Sequence, residues 1–168
     1  SDQVRRNKVE GEGNSLLGKI GIGVAVRAGS LEPDIVSLDR FKQSLLGADS
    51  IVFSQTGSGL HLEKLLDLLG IGEQLKTKTT RYTTTALVLE DIAGGTGSRI
   101  GFAPITEIKL FESKGVRLVG PLPAQVQSST AYSAGVLTDA PDVETARDFV
   151  KYLATPSSKA MFVAAGIE

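Results

Sequence analysis

The segment SIVFSQTGSGLHLEKLLDLLG, residues 50–70, constrains the fold of this chain more than any other. Ser50 to Ser54 is a short apolar run with serine at each end, the pattern of a strand buried on both faces. Leu62, Leu65, Leu66 and Leu69 then recur at helical spacing, and Gly70 stops them. Gln55 to Gly59 forms the turn between them. A strand, glycine turn, helix unit of this kind must be flanked by further strands and covered by further helices.

The rest of the sequence supplies both. Ile20, Ile22, Val24 and Val26 alternate with Gly21, Gly23 and Ala25, so a strand over Ile20 to Arg27 has one bulky and one very small face, and something packs closely on the small side. Ser37 precedes a helix whose Leu38, Phe41, Leu45 and Leu46 share a face, closed by Gly47. The β-branched string Thr79 to Thr85 reads as extended, and TTALVLEDIAGG as a helix stopped by Gly94 and Gly95. SRIGFAP is a strand ended by Pro104, ITEIKLFES a short helix or turn, and GVRLVG a strand. PLPAQVQ is an extended connector in which proline forbids regular helix. STAYSAGVLT alternates like a strand, Asp142 to Ala154 form a helix, and Pro156 begins a last short one. About five strands alternating with five or six helices specify an α/β fold, with a mixed, mostly parallel sheet and helices on both faces. The first 15 residues are charged and aperiodic, and read as a polar arm or linker.

Composition removes several function classes. With 18 Lys+Arg against 19 Asp+Glu, the signs interleaved, there is no basic face for nucleic acid. No apolar run reaches the roughly 18 residues of a membrane span. No Cys and one His exclude thiol catalysis, disulfides and the common zinc sites, so neither a metal nor a cofactor is expected.

The chemistry that remains sits in SQTGSGLH. A strand followed by Gly57, Ser58 and Gly59 at a helix N-terminus leaves amides that the helix does not use, at the positive end of its dipole, and that is an anion site. Ser54, Thr56 and Ser58 add hydroxyl donors. The same residues also suit a plain βα turn that needs glycine and a serine cap. It is no P-loop, because Leu60, His61 and Leu62 stand where Lys-Ser/Thr should follow. Thr84 or Thr85 offers a second cap, and Pro104, Ile105 and Thr106 line whatever cleft the strand ends face. His61 has no second His, Cys or paired acid to make a metal site or a triad.

Taken in order, GKIGIGVAVRAG, DSIVFSQTGSGLHLEKLLDLLGI, SRIGFAPITEI and the ending FVKYLATPSSKAMFVAAGIE resemble the later two-thirds of bacterial type II periplasmic solute-binding proteins. The molybdate-binding-protein-like subgroup of ABC importers is the most similar. The resemblance covers Leu16 to Glu168. It implies two α/β lobes joined by crossover strands, with ligand in the cleft between them. One lobe would be complete over residues 28–127, and the other would be only the part formed by residues 16–27 with 128–168. It also implies an extracytoplasmic protein, periplasmic or extracellular, with an ABC permease as partner. The ligand would be a small anionic solute, an oxyanion such as molybdate or tungstate, held without counter-charge by hydroxyls and amides. Ser58, Gly59 and more loosely Thr83 match the second-lobe donors. The family's tyrosine after the IGFAP strand is here Pro104. The competing reading keeps the fold without transport, as a protein-interaction or sensory module that dimerises through a sheet edge left uncovered. Enzymatic activity ranks third, with His61 its one neutral-pH base.

Overall fold

A computed structural model describes residues 15–168. The polar arm read over residues 1–15 lies outside the described residues except for Ser15, which begins the first strand. The described chain forms two compact units, residues 21–129 and residues 15–20 with 130–168.

Strand β1, Ser15–Arg27, is longer than the alternation of its sequence indicates, and it contributes to both units. In the unit of residues 21–129 it is followed by helix α1 (Leu38–Gly47), strand β2 (Ser50–Ser54), helix α2 (Gly57–Leu68) and the single turn α3 (Gly72–Leu75). Strand β3 (Thr79–Tyr82), helix α4 (Thr85–Gly94), strand β4 (Arg99–Pro104), helix α5 (Ile105–Phe111) and strand β5 (Val116–Pro121) complete it. The sheet order is β3-β2-β4-β1-β5. Strand β2 runs parallel to β3 and β4, whereas β1 is antiparallel to β4 and β5. The sheet is therefore mixed, as expected, but these pairings divide evenly between parallel and antiparallel where a mostly parallel sheet was expected, because β1 enters between β4 and β5 running against both.

Alternation along these strands divides the core. Ile51, Phe53, Ile100, Phe102, Ile22 and Val24 pack beneath α1, α2 and α3, while Val52, Ala25 and Ala103 pack beneath α4 and α5. The small face of β1 is filled as expected: a Cβ on Gly23 would press on Ile105, Ile108 and Leu118. Helix starts follow local chemistry. Ser37 accepts from the Arg40 amide and Thr84 from the Leu87 amide, each three residues on.

The second unit contains residues 15–20 of β1, most of strand β6 (Ser129–Ala134), helix α6 (Val143–Leu153) and helix α7 (Pro156–Ala164). Asp142 caps α6, and hydrogen bonds from the Thr145 amide and hydroxyl hold its carboxyl below the usual carboxylate range. Glu168 and Lys19 exchange backbone hydrogen bonds of 2.6 and 2.8 Å, which tie the chain's last residue to β1.

Candidate functional site

Parallel pairing brings three loop starts to one edge of the sheet in the unit of residues 21–129. Ser54 stands opposite Tyr82, and Phe53 opposite Phe102, so the carboxyl ends of β3, β2 and β4 lie side by side. The helix after β2 leaves on one face of the sheet, and those after β3 and β4 leave on the other. Opposed departures open a crevice at strand carboxyl ends, the usual place for a ligand in such sheets. The sequence candidates Ser54, Thr56, Gly57, Ser58, Gly59, Thr83, Pro104 and Ile105 all fall at this edge.

Their roles differ. Ser54 is buried, and its hydroxyl lies 3.0 Å from that of Thr56. Thr56 is extended and its side chain makes no cap, so its hydroxyl is not committed to α2. Helix α2 begins at Gly57, inside the segment expected to be turn. One donor is lost by this: the Gly59 amide bonds the Thr56 carbonyl at 2.7 Å. The expectation that Gly59 presents an outward amide is thus corrected, because the first turn tightens and uses it internally. Gly59 is glycine for a different reason. A Cβ there would overlap the Ser54 carbonyl oxygen.

Gly57 is exposed, Ser58 is half-buried, and among the described residues neither amide has an acceptor. Thr83 is exposed beside the Thr84 cap, and the Gln55 amide donates to the Tyr82 carbonyl at 2.8 Å, which holds the two loops together. Burial raises the pKa of the Tyr82 hydroxyl, with the Asp91 carboxylate adding to the shift, so it remains a neutral donor. Ile105 turns its side chain into the core against the space left by Gly23, and Pro104 has no amide hydrogen. Pro104 and the Ile105 side chain therefore contribute shape rather than donors.

The cavities agree only in part with this edge. One of about 210 Å³ includes Ser54, Gln55, Gly59 and Leu60. A larger one, about 540 Å³, runs along the flank of α2 and contains none of the candidates. Both are bordered by Arg81, whose guanidinium pairs with Glu63 at 2.5 Å and lies 5.8 Å from the centre of the Phe53 ring. The larger space mixes Glu63, Asp67 and Glu73 with Lys76 and Arg81, and the free amides of Gly57 and Ser58 do not line it.

Two supporting residues carry no local sequence signal. His61 shares a 2.9 Å hydrogen bond with the Val126 carbonyl, donated by Nε2–H, so it anchors the connector Ala124–Val126 to α2. That connector forms one 3-10 turn where an extended path was expected, which its alanine, glutamine and valine allow. Gln127 accepts from the Ile22 amide at 2.9 Å and donates to the Ile22 carbonyl at 3.0 Å, in place of a neighbouring strand. Gln127→Ala is expected to cost about 2 kcal/mol by leaving the buried Ile22 amide without an acceptor, while the Ile22 carbonyl keeps the Leu122 amide at 3.0 Å. Gln127→Glu, which keeps an acceptor, should lose less. Urea denaturation of both variants measures this, and equal losses would refute the two-bond account.

Comparison with known proteins adds three findings. A family model described as bacterial extracellular solute-binding protein matches residues 3–168. Aconitate isomerase from Pseudomonas sp is 33% identical over 140 residues, which are 83% of this chain and 52% of that protein. The chain thus spans about half the length of this curated relative. Among solved structures, a substrate binding domain assigned to a molybdenum ABC transporter from Clostridium difficile superposes with TM-score 0.80 at 17% identity, covering 99% of this chain and 71% of that one. The periplasmic molybdate-binding protein of Azotobacter vinelandii gives 0.68 at 16% identity, with 99% and 72% covered. At such identities the structural likeness establishes the fold, which is that of a periplasmic binding protein.

Proposed function

Because the chain belongs to the bacterial extracellular solute-binding protein family, we propose that it captures a small anion at the carboxyl edge of β3, β2 and β4 and delivers it to an ABC permease outside the cytoplasm. The observation that carries this reading is the pair of free amides on Gly57 and Ser58, at the positive end of α2 beside the hydroxyls of Ser54 and Thr56. Fixed dipoles bind an anion without having to reorganise, and each hydrogen bond to a charged acceptor contributes about 1.5–3 kcal/mol. Thr83 adds a hydroxyl from the neighbouring loop.

The relatives' names support the same ligand class. Molybdate is an oxyanion and aconitate a tricarboxylate, and what they share is negative charge on oxygen.

Gly57→Pro is the informative variant. It deletes one amide, yet proline is accepted at the first helical position, and Thr56, at φ −112 and ψ 175, already has the extended backbone that proline requires before it. Calorimetric titration with aconitate, molybdate, tungstate, sulfate and phosphate is expected to find one anion that binds the parent protein. The variant should bind it at least about 10-fold more weakly with an unchanged melting temperature. Equal affinity would remove this helix start from the site.

The 33% identity to aconitate isomerase favours a second reading, in which aconitate is turned over rather than only held. Proton NMR of aconitate incubated with the protein discriminates between the two. A changing isomer ratio would mean turnover, and a constant ratio with binding would mean capture.

A further inference from the structure

One cation stands close to the start of α2, although the sequence reading leaves the anion without a counter-charge. Of the residues that line the cavity of about 210 Å³ at the end of β2, Arg81 is the cation and Glu63 the acid. Their positions follow from the fold. Arg81 is in register with Phe53 on a parallel strand, so both side chains lie on the sheet face that α2 covers. The Phe53 ring is buried, and the guanidinium lies 5.8 Å from its centre, which seats the charge on a fixed surface. Glu63 reaches it from α2 and pairs with it at 2.5 Å.

That pair is easily exchanged. The Arg81 and Glu63 side chains are 48% and 38% exposed, and an ion pair so open to water adds little to stability. Arg81 presents a planar fork of N–H groups that fits the paired oxygens of a carboxylate or phosphate. An incoming anion can therefore take the place of Glu63 with small loss to the protein. The amides of Gly57 and Ser58 do not line this cavity. Glu63 is six residues beyond Gly57, roughly 9 Å of helix rise, and its side chain leans back toward the helix start. Leu60 also lines the cavity and is half exposed, so an apolar side chain stands between the two anchors along α2. A ligand that reaches both has two anionic groups on a short carbon frame, rather than one central atom.

Given the anion capture proposed for this edge, we infer that Arg81 is its second anchor, held by Glu63 until a ligand displaces it, and that the ligand is a small di- or tricarboxylate. Glu63 thereby sets a threshold. A ligand must out-compete a carboxylate already in place, which discriminates against weakly and singly charged anions.

Calorimetric titration of the parent protein, Glu63→Gln, Arg81→Gln and the double variant with citrate, aconitate and sulfate tests this, at about 150 mM salt so that distant charges are screened. Glu63→Gln is expected to bind a tricarboxylate at least about 5-fold more tightly, because Arg81 is released, and Arg81→Gln at least about 10-fold more weakly. An ion pair that only braced the fold would give the opposite sign for Glu63→Gln. In the Arg81→Gln background the Glu63 substitution should gain under about 2-fold. Arg81→Lys, which keeps the charge and loses the fork, should fall between Arg81→Gln and the parent. Melting temperatures should hardly move, both side chains being open to water. Unchanged affinity in Arg81→Gln, no gain in Glu63→Gln, an equal gain in both backgrounds, or binding of sulfate alone would overturn the second anchor and leave anion capture to be decided by Gly57→Pro. No binding by either the parent protein or Glu63→Gln would end both.

Discussion

Gly59→Ala is expected to destabilise the protein by at least about 3 kcal/mol, a drop on the order of 10 °C in melting temperature. The added methyl would overlap the Ser54 carbonyl oxygen and press on the Phe53 ring. Backbone cannot rotate out of the way as a side chain can, so α2 must lift off β2. That movement loosens Leu62, Leu65 and Leu66, which are buried against the sheet. Gly57→Ala, two residues earlier, is the control: nothing lies within 4 Å of a Cβ there, and the change should stay within about 0.5 kcal/mol. Thermal melts that fail to separate the two variants would refute the close-packing account. One consequence concerns the site, since lost binding in a Gly59 variant would report damaged packing rather than a deleted contact.

Phe102→Ala should cost about 4 kcal/mol. The ring is fully buried and meets Phe41 edge-on, with centroids 6.1 Å apart at 88°. It also sits in register with Val24 on one side and Phe53 on the other, so it joins three strands of the core. Phe102→Leu, which retains most of the volume, should cost under about 1.5 kcal/mol. Chemical denaturation of the two, with Phe41→Ala to complete a double-mutant cycle, separates transfer from pair energy. A loss below 1 kcal/mol for the alanine variant would mean that the ring does not anchor α1 to the sheet. Strand β4 ends two residues later at Pro104, so the same substitution should also disturb the site edge.

The membership established by the family match, and the fold shown by the structural likeness, agree with the resemblance carried by four sequence segments. Helix starts were readable because they are local events. Ser37, Thr84 and Asp142 each cap an amide three residues ahead, and Pro156 opens α7. The small face of β1 was legible as well, because Gly21, Gly23 and Ala25 leave space that only a close neighbour fills.

Other features were not legible. Nothing near Gln127 indicates that its amide serves Ile22, a partner 105 residues away. The extension of β1 back to Ser15 has the same kind of origin: Lys19 pairs with Glu168 at the far end of the chain. Nor does the string QTGSG reveal which of its amides remain free. That depends on α2 starting at Gly57 and tightening its first turn, which draws in the Gly59 amide and leaves those of Gly57 and Ser58.

The sequence by itself determined the α/β class, the element order and most helix starts, because each follows from periodicity, a cap or a glycine acting over a few residues. The tertiary structure decided the antiparallel place of β1 between β4 and β5, the inward turn of Ile105, the packing role of Gly59 and the pairing of Arg81 with Glu63. Each of these depends on which distant segment occupies a neighbouring volume, and short-range propensity contains no term for that.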